Sequence, residues 1–394
     1  MGFCTVRCKV IVFFLTFVIL KPEPMKQSLF FSIAASLLLL AGCSGNKADT
    51  PQDQDPVDQL QLKDYEPVSV FQLEEHKPTA AKFSVIDMHS HPYRDDEAGI
   101  RAWVKTLEEN NIEKVIIHTK AFGEEFDRLY DLYKGISDKF EIWCGFDMTK
   151  WDQPEFPACA IAELERCYAK GAAGVGELID KGMVERISGK VKEPGLHFND
   201  PKFDALFEKC GELGLPVSIH SGDPIWMYEP IDAHNDGLMN AKHWRIDLSE
   251  PGILDLDGVV NAFLECVERH PNTTFIACHL LNYNHDYARL SEVMDSHPKL
   301  WLDISARHQE TCVTPRATKR FYEKYQDRLL FGTDNDPDPS MYRAQWRILE
   351  TEDEHFYLDE QSYHWPMQGI GLSDEVLKKI YHDNAVRLLD ARKK

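Results

Sequence analysis

Two histidines lie two residues apart in the run Asp87-Met88-His89-Ser90-His91, directly after an apolar stretch typical of a strand. Because alternate residues of a strand point to the same face, both imidazoles are expected on one side of it. Paired imidazoles are typical ligands of a divalent metal ion, with Zn²⁺ the first expectation. A histidine pair in a surface loop would give the same motif, so the interpretation depends on the other strand ends.

Two later predicted strands also end in histidine. His220 ends the strand 216–220, and His279 ends the strand 274–279. Either one alone could be an ordinary structural histidine, but two consecutive strands that end this way are difficult to attribute to chance. The pattern predicts that both imidazoles face the same site as the first histidine pair.

Carboxylates follow two further predicted strands. Glu177 lies at the end of the strand 173–178, where it could bridge two metal ions or form a salt bridge. Asp334 comes directly after the strand 329–333, where it could cap the next helix. Beside four histidines, Asp334 is better interpreted as a metal ligand or general base.

These residues must be positioned by a repeating arrangement of strands and amphipathic helices, which begins at residue 84. Eight strands with intervening helices in about 310 residues indicate a (β/α)₈ TIM barrel of the metal-dependent hydrolase type. A doubly wound open sheet is the alternative, although no glycine-rich phosphate loop follows the first strand. The predicted strands are 84–88, 114–118, 141–146, 173–178, 216–220, 274–279, 300–304 and 329–333.

The connection between the fifth and sixth strands, residues 221–255, is unusually long for a compact barrel. It contains Arg245 and the aromatic residues Trp226, Tyr228 and Trp244. The aromatic side chains favour a structured lid or pocket wall.

The N-terminus is predicted to be an export signal, residues 1–42, with Met25 as the true start. A genuine N-terminal membrane helix in the first 24 residues is the alternative. The run Leu40-Ala41-Gly42-Cys43 resembles a bacterial lipoprotein cleavage box, which implies lipidation of Cys43. Residues 43–80 are predicted to form a flexible tether, and residues 81–394 the barrel domain. We therefore expect an exported protein anchored by lipid to a bacterial membrane, on its periplasmic or cell-surface side.

The formal net charge of −21 argues against a nucleic-acid partner, which requires clustered Lys and Arg. Seven cysteines follow Cys43 without a CxxC pair, and we interpret them mostly as buried thiols. The expected partner is a small-molecule substrate, and a homodimer is a further expectation.

The combination of His-x-His with strand-end histidines and a final Asp resembles the amidohydrolase superfamily. The flanking stretches are similar to its amidohydrolase-related branch, which includes the aminocarboxymuconate-semialdehyde decarboxylase relatives. The resemblance covers residues 84–391. Its supporting stretches are 211–217, 269–271, 331–334 and 381–385.

The resemblance implies one metal ion held by His89, His91, His220 and Asp334, with His279 as an acid or base beside it. The binuclear branches, similar to TatD-type deoxyribonucleases, imply an alternative. In that arrangement Glu177 bridges two ions, and His220 and His279 bind the second ion.

The first functional hypothesis is hydrolysis of an amide, lactone or ester bond in a small polar substrate by metal-activated water. Asp334 and His279 would then be the catalytic residues. Arg94, Arg245 and Arg307 are candidates to bind a substrate carboxylate. Asp303 is a candidate to orient a ligand histidine. Non-oxidative decarboxylation is the second hypothesis, and a binding lipoprotein without catalysis is the third.

Overall fold

The computed structural model describes residues 56–186, 191–193, 195–241, 245–358 and 363–392. The predicted export signal, Cys43 and Trp244 lie outside these residues. The chain from Leu60 to Lys394 forms one compact unit. No helix among the described residues is long and apolar enough to cross a membrane.

Eight parallel strands form the wall of a (β/α)₈ barrel, and each coincides with one of the predicted strands. They are β1 Val85–Ser90, β2 Ile112–His118, β3 Phe140–Trp143, β4 Val175–Asp180, β7 Val217–Ser221, β8 Phe275–Ala277, β9 Trp301–Asp303 and β10 Leu329–Leu330. The fold class predicted from the sequence is therefore confirmed.

A helix follows each of these strands before the next one begins. The eight helices are α1 Glu97–Glu109, α2 Gly123–Ile136, α3 Phe156–Lys170, α4 Asp204–Leu213, α5 Leu256–Arg269, α6 Tyr287–Ser296, α7 Pro315–Tyr325 and α8 Pro339–Glu350. Shorter helical segments lie at Pro56–Gln59, Leu62–Asp64, Pro201–Phe203, Ile225–Met227, Leu238–Ala241, Cys278–Asn282 and His308–Thr311. The chain ends in helical segments Asp374–Lys378, Lys379–Asp383 and Asn384–Ala391, the middle one a π-helical turn.

Two seams close the wall into a ring. Ladder pairing runs through β1-β2-β3 and through β10-β9-β8-β7-β4. Between β3 and β4, Cys144 pairs in parallel with Val175. Between β10 and β1, the Met88 amide donates to the Phe331 carbonyl at 2.9 Å, and the Thr333 amide donates to the His89 carbonyl at 3.2 Å. These bonds bring the first and last strands of the barrel side by side.

An antiparallel hairpin, which the sequence analysis did not predict, extends the sheet beyond β4. Its strands are β5 Val184–Arg186 and β6 Val191–Glu193, each only three residues long. The chain reaches it through Gly182, whose φ of +97° lies in the range that favours glycine. Strands this short carry almost no alternating pattern, which explains why the sequence did not indicate them.

The C-terminal helix closes the end of the barrel away from the strand termini that carry the predicted ligands. Ala385, Leu388 and Leu389 pack with inward-facing residues of the barrel such as Ile86 and Met88. On the outside, α1 buries Ile100, Trp103 and Leu107 against the wall, as its apolar periodicity predicts. The barrel interior is therefore packed with apolar side chains below the site.

Part of the predicted tether lies against the barrel. Both the amide and the Nδ1 atom of His76 contact the carboxylate of Asp353, at 2.8 Å and 2.7 Å. The hydroxyl of Ser69 lies 3.2 Å from His355 Nδ1, and the Phe71 ring meets the His355 ring edge-on. We call residues 69–76 the N-terminal strap.

Candidate metal centre

Six polar side chains from five strand ends converge at the upper end of the barrel. The end of β1 supplies two histidines, β4 the glutamate and β7 one histidine, while His279 lies two residues after β8 and Asp334 four residues after β10. The structure thus brings together every predicted metal ligand and catalytic residue: His89, His91, Glu177, His220, His279 and Asp334.

Glu177 lies at the middle of the cluster, and its two carboxylate oxygens face different imidazoles. Oε1 lies 2.8 Å from His220 Nδ1 and 3.2 Å from His279 Nε2. Oε2 lies 3.4 Å from His91 Nε2 and 3.0 Å from the ammonium of Lys120. One carboxylate therefore spans two groups of ligand atoms.

The second group is built around Asp334. Its Oδ1 lies 3.1 Å from His91 Nε2 and 3.8 Å from His89 Nε2. The hydroxyl of Tyr93 donates to the same oxygen at 3.2 Å. The side chains of this half come from the end of β1 and from the loop after β10.

Acceptors outside the cluster fix the orientation of three of the imidazoles. His89 Nδ1 donates to Asp303 Oδ2 at 2.8 Å, as the sequence analysis expected for Asp303. The Nδ1 atoms of His91 and His279 lie 2.8 Å and 2.9 Å from carbonyl oxygens, which can only accept. Each Nε2 therefore carries a lone pair that points into the cluster.

Charge is distributed in the cluster so that a cation is strongly favoured there. Burial opposes protonation of His89, but the carboxylates of Asp303, Asp334 and Glu177 outweigh it and raise the pKa of His89 to about 10. Burial also disfavours the charged form of Glu177, yet the nearby Lys120 and His220 hold its pKa well below the usual range. Ionised carboxylates are thus retained in a buried space.

The residues present fit a divalent metal ion. His89 Nε2 is buried without a hydrogen-bond partner among the described residues. The ligand atoms of two groups lie within 4.8 Å of one another: His89, His91 and Asp334 form one group, and His89, Glu177, Cys278 and His279 form the other. Imidazole nitrogens together with carboxylate oxygens are a donor set that Zn²⁺ and related ions use in proteins.

Backbone conformations at two of these positions are unfavourable for ordinary residues. His279 has φ of +58° and Asp334 has φ of +47°, both in the left-handed region. Each costs roughly 1–3 kcal/mol and persists only where the surroundings enforce it. Such strain is typical of functional sites, and here it affects residues that carry the candidate chemistry.

Exposure divides the cluster into a deep part and an open part. The side chains of His89, Glu177 and His279 are at most 3% exposed. Those of His91 and Asp334 are 17% and 21% exposed. Asp334 is therefore the carboxylate through which the cluster meets solvent and incoming molecules.

Several residues of the site were not predicted from the sequence, among them His118, Lys120, Lys181 and Asp223. His118 ends β2 in the same manner as His220 ends its predicted strand, so a signal was present. Its ring lies 4.6 Å from the His89 ring, and burial holds its pKa well below the usual range. Asp223 and Lys181 pair at 3.1 Å beside His220. Burial would raise the pKa of Asp223, but Lys181 and His220 lower it to about 2.

The three predicted arginines lie in different surroundings. Arg94 is paired through two nitrogens with Asp336, at 2.7 Å and 2.8 Å. Arg245 is exposed and donates to the carbonyl of Glu229. Only Arg307 is buried near the cluster, where it donates to Asn282 and its positive charge helps to lower the pKa of His279.

The long loop after β7 packs against a later part of the chain. Trp226 in this loop meets Trp365 with their ring centroids 6.0 Å apart. Trp365 in turn donates to the Gln309 carbonyl at 2.9 Å. Its aromatic residues therefore contact the rest of the fold, in agreement with a structured wall.

A sequence model of the family described as Amidohydrolase matches residues 149–391. The chain belongs to this amidohydrolase family. The matched segment contains Glu177, His220, His279 and Asp334, while the first histidine pair precedes it. No curated protein matches the chain.

Three solved structures illustrate the similarity of this amidohydrolase to known proteins. A proposed amidohydrolase from Staphylococcus aureus is 14% identical, with 78% of this chain and 100% of that chain covered and a TM-score of 0.52. An uncharacterised TIM-barrel protein from Bordetella bronchiseptica is 14% identical, with 79% and 100% covered and a TM-score of 0.48. The 5-carboxyvanillate decarboxylase of Sphingomonas paucimobilis is 12% identical, with 78% and 99% covered and a TM-score of 0.47. The first of these supports the shared fold.

Proposed function

We propose that this amidohydrolase is a metal-dependent hydrolase that cleaves an amide, lactone or ester bond of a small polar substrate. The proposal is carried by one observation: at the open end of the barrel, the imidazole nitrogens of four histidines lie together with the carboxylates of Glu177 and Asp334. A site that only bound a ligand would have no need for all six of these groups.

The residues that would hold the metal, with Zn²⁺ as the first candidate, are His89, His91, His220, His279, Glu177 and Asp334. A bound divalent ion supplies a Lewis acid that polarises a carbonyl oxygen and lowers the pKa of coordinated water toward about 7. Because Glu177 presents one oxygen to each group of imidazoles, the geometry favours two ions over one.

Asp334 is positioned to move the proton during hydrolysis. The oxygen of water bonds to the substrate carbonyl carbon, and Asp334 accepts the proton that this oxygen loses. The bond to the leaving group then breaks, and Asp334 returns the proton to the departing nitrogen or oxygen. The Tyr93 hydroxyl, 3.2 Å from Oδ1, keeps the carboxylate oriented for both steps.

His279 is better suited to binding metal than to transferring protons. Its side chain is 1% exposed, and burial, with the charges of His220 and Arg307, lowers its pKa to about 4. Its Nε2 lone pair faces Glu177. We therefore favour the alternative in which His279 is a ligand, and we assign substrate contact to Arg307 among the three arginines.

Elemental analysis of purified residues 44–394 tests the proposal. We expect about two metal ions per chain in the parent protein, fewer in Glu177→Ala, and loss of binding in His89→Ala. A parent protein without metal would refute metal-dependent hydrolysis. One ion that is unaffected by Glu177→Ala would refute the two-ion arrangement.

A substrate screen then separates hydrolysis from decarboxylation. Amides, lactones and esters are incubated with the metal-loaded protein, and both acid release and CO₂ are recorded. Acid release that requires Asp334 supports the hydrolase. Release of CO₂ from carboxylated substrates without hydrolysis would contradict it.

We also propose that the protein is exported and anchored through a lipid on Cys43. The support is the sequence run that ends at Cys43, together with the acidic, polar segment after it. Cell fractionation tests this: Cys43→Ala should leave the membrane fraction, whereas Cys159→Ala should remain in it. Equal distribution of both variants would refute the anchor.

A further inference from the structure

We propose that Asp223 is a positioning residue, which holds His220 Nε2 so that His220 Nδ1 faces the metal centre, and that Lys181 fixes Asp223 for this task. The inference rests on the proposed metal-dependent function and extends it to two residues outside the ligand set.

The geometry of His220 differs from that of the other three imidazoles. It faces the cluster through Nδ1, which lies 2.8 Å from Glu177 Oε1 and 3.0 Å from His279 Nε2. Its Nε2 atom is therefore the outer nitrogen. It makes no hydrogen bond among the described residues, and Asp223 Oδ1 faces it at an ion-pair distance of 3.4 Å. A carboxylate at Nε2 favours the proton there and leaves the lone pair on Nδ1, directed inward.

Asp223 is the group placed to give His220 the outer acceptor that the other three ligand imidazoles have. Asp303 serves His89 with a carboxylate, and backbone carbonyls serve His91 and His279. Without Asp223, His220 would be the one ligand imidazole with no acceptor to fix which ring nitrogen carries the proton. Acceptors of this kind orient ligand imidazoles and increase their basicity.

The burial of Asp223 is difficult to explain by folding alone. The residue is 1% exposed, and among the described residues its side chain makes no hydrogen bond to a backbone amide. Asp180, an equally buried neighbour on β4, accepts from the Gly182 amide and pairs with His197. A buried carboxylate costs several kcal/mol unless it is compensated, and Asp223 has His220 and Lys181 for this purpose.

Lys181 supplies the charge that makes this arrangement tolerable. Its Nζ lies 3.1 Å from Asp223 Oδ1, the same oxygen that faces His220. The ammonium is 25% exposed, so it compensates the carboxylate without itself being buried. Removal of Lys181 should weaken the effect of Asp223 while the carboxylate remains in place.

Zinc titration of the purified full chain in competition with a chromogenic chelator tests the inference. Asp223→Asn should weaken zinc binding roughly 10–100-fold, as loss of such acceptors does elsewhere, and Asp223→Glu should recover part of the loss. Asp303→Asn is the positive comparison. Asp180→Asn, which removes a buried carboxylate beside a histidine outside the centre, should leave zinc affinity as in the parent.

Nitrogen-15 spectra of histidine in the zinc-loaded parent give a readout that a merely structural role would not change. We expect His220 to coordinate through Nδ1 and to carry a proton on Nε2. Should Asp223→Asn fail to fold, Lys181→Met tests the same arrangement of Lys181, Asp223 and His220. The expected loss of zinc affinity is then smaller.

Three outcomes are distinguishable. Parent affinity in a folded Asp223→Asn protein, or coordination of His220 through Nε2, overturns the positioning role and leaves the proposed function intact. Weakened binding in Asp223→Asn but not in Asp180→Asn supports the role. A parent that binds no zinc refutes the proposed function and the inference with it.

Discussion

Gly332 lies at a point where the barrel closes tightly around His89. A Cβ atom placed on Gly332 would lie 2.8 Å from His89 Cβ and 3.0 Å from Ser305 Cβ. Ser305 contacts both His89 Nδ1 and His279 Nδ1 through its hydroxyl. The absence of a side chain at Gly332 therefore sets the position of His89, since the adjoining atoms belong to stiff parts of the wall.

We predict that Gly332→Ala destabilises the protein by about 1–3 kcal/mol through overpacking and weakens zinc binding by displacing His89. Urea denaturation and chelator competition measure the two effects. Gly135→Ala is the matched control, because a Cβ there meets nothing within 4 Å and lies in helix α2. It should be neutral or stabilising by up to about 1 kcal/mol. An unchanged zinc affinity in Gly332→Ala would contradict the prediction.

Single residues of the centre differ in how far the sequence could reveal them. His220 and His279 each end a predicted strand, so their placement followed from the barrel and the direction of its strands. His118 ended a predicted strand too, and could have been included on the same grounds. Lys120, Lys181 and Asp223 could not be found in this way, because their importance depends on partners up to 57 residues away that only the fold brings near.

Elements that pack through regular faces were predicted more completely than irregular ones. All eight barrel strands were identified, because apolar runs bounded by turns are a strong local signal. The turn Cys278–Asn282, with four residues at positive φ, has no such signal, since the surrounding structure enforces a conformation that its residues do not prefer. The strap was interpreted as part of the tether because its partners Asp353 and His355 lie far along the chain, where no local pattern indicates the contacts.

Docking of the strap against the barrel should depend on pH, because it involves the imidazole of His76. Asp353 raises the pKa of His76 through a hydrogen bond and its charge, with Glu74 adding to it and burial and Arg347 opposing it. A raised pKa means that protonation stabilises the docked strap. The contribution is fully present below the ordinary value of 6.5 and is lost as the pH rises through the raised value of the docked state.

We therefore expect the protection factor of the His76 amide, measured by hydrogen exchange, to be higher at acidic than at alkaline pH. His76→Gln keeps the backbone bond to Asp353 and removes the titratable ring, so its protection should not depend on pH. Protection in the parent that stayed constant or increased with pH would show that the imidazole does not hold the strap.

At the scale of the whole molecule, the ligands of the proposed centre connect the first and the last strands of the barrel sequence. Zinc that binds only the folded state should stabilise it by about 2.7 kcal/mol at a free concentration of 100 Kd. The entropy of unfolding is about 2.1 cal/mol/K per residue, so each kcal/mol shifts the Tm of the unit Leu60–Lys394 by roughly 1.5 °C, and the expected shift is roughly 4 °C.

Calorimetry with zinc and with a chelator checks this expectation. The difference in Tm should vanish in His89→Ala, whereas Gly135→Ala should retain it. A parent protein with the same Tm under both conditions would show that no ion is linked to folding.

The bond between the Asp334 amide and the His89 carbonyl, 2.8 Å long, joins the beginning and the end of the barrel sequence. A chain emerging from the ribosome contains its first histidine pair long before Asp334 has been synthesised. Partial chains thus hold incomplete sets of ligands, and only the finished barrel offers all of them at once.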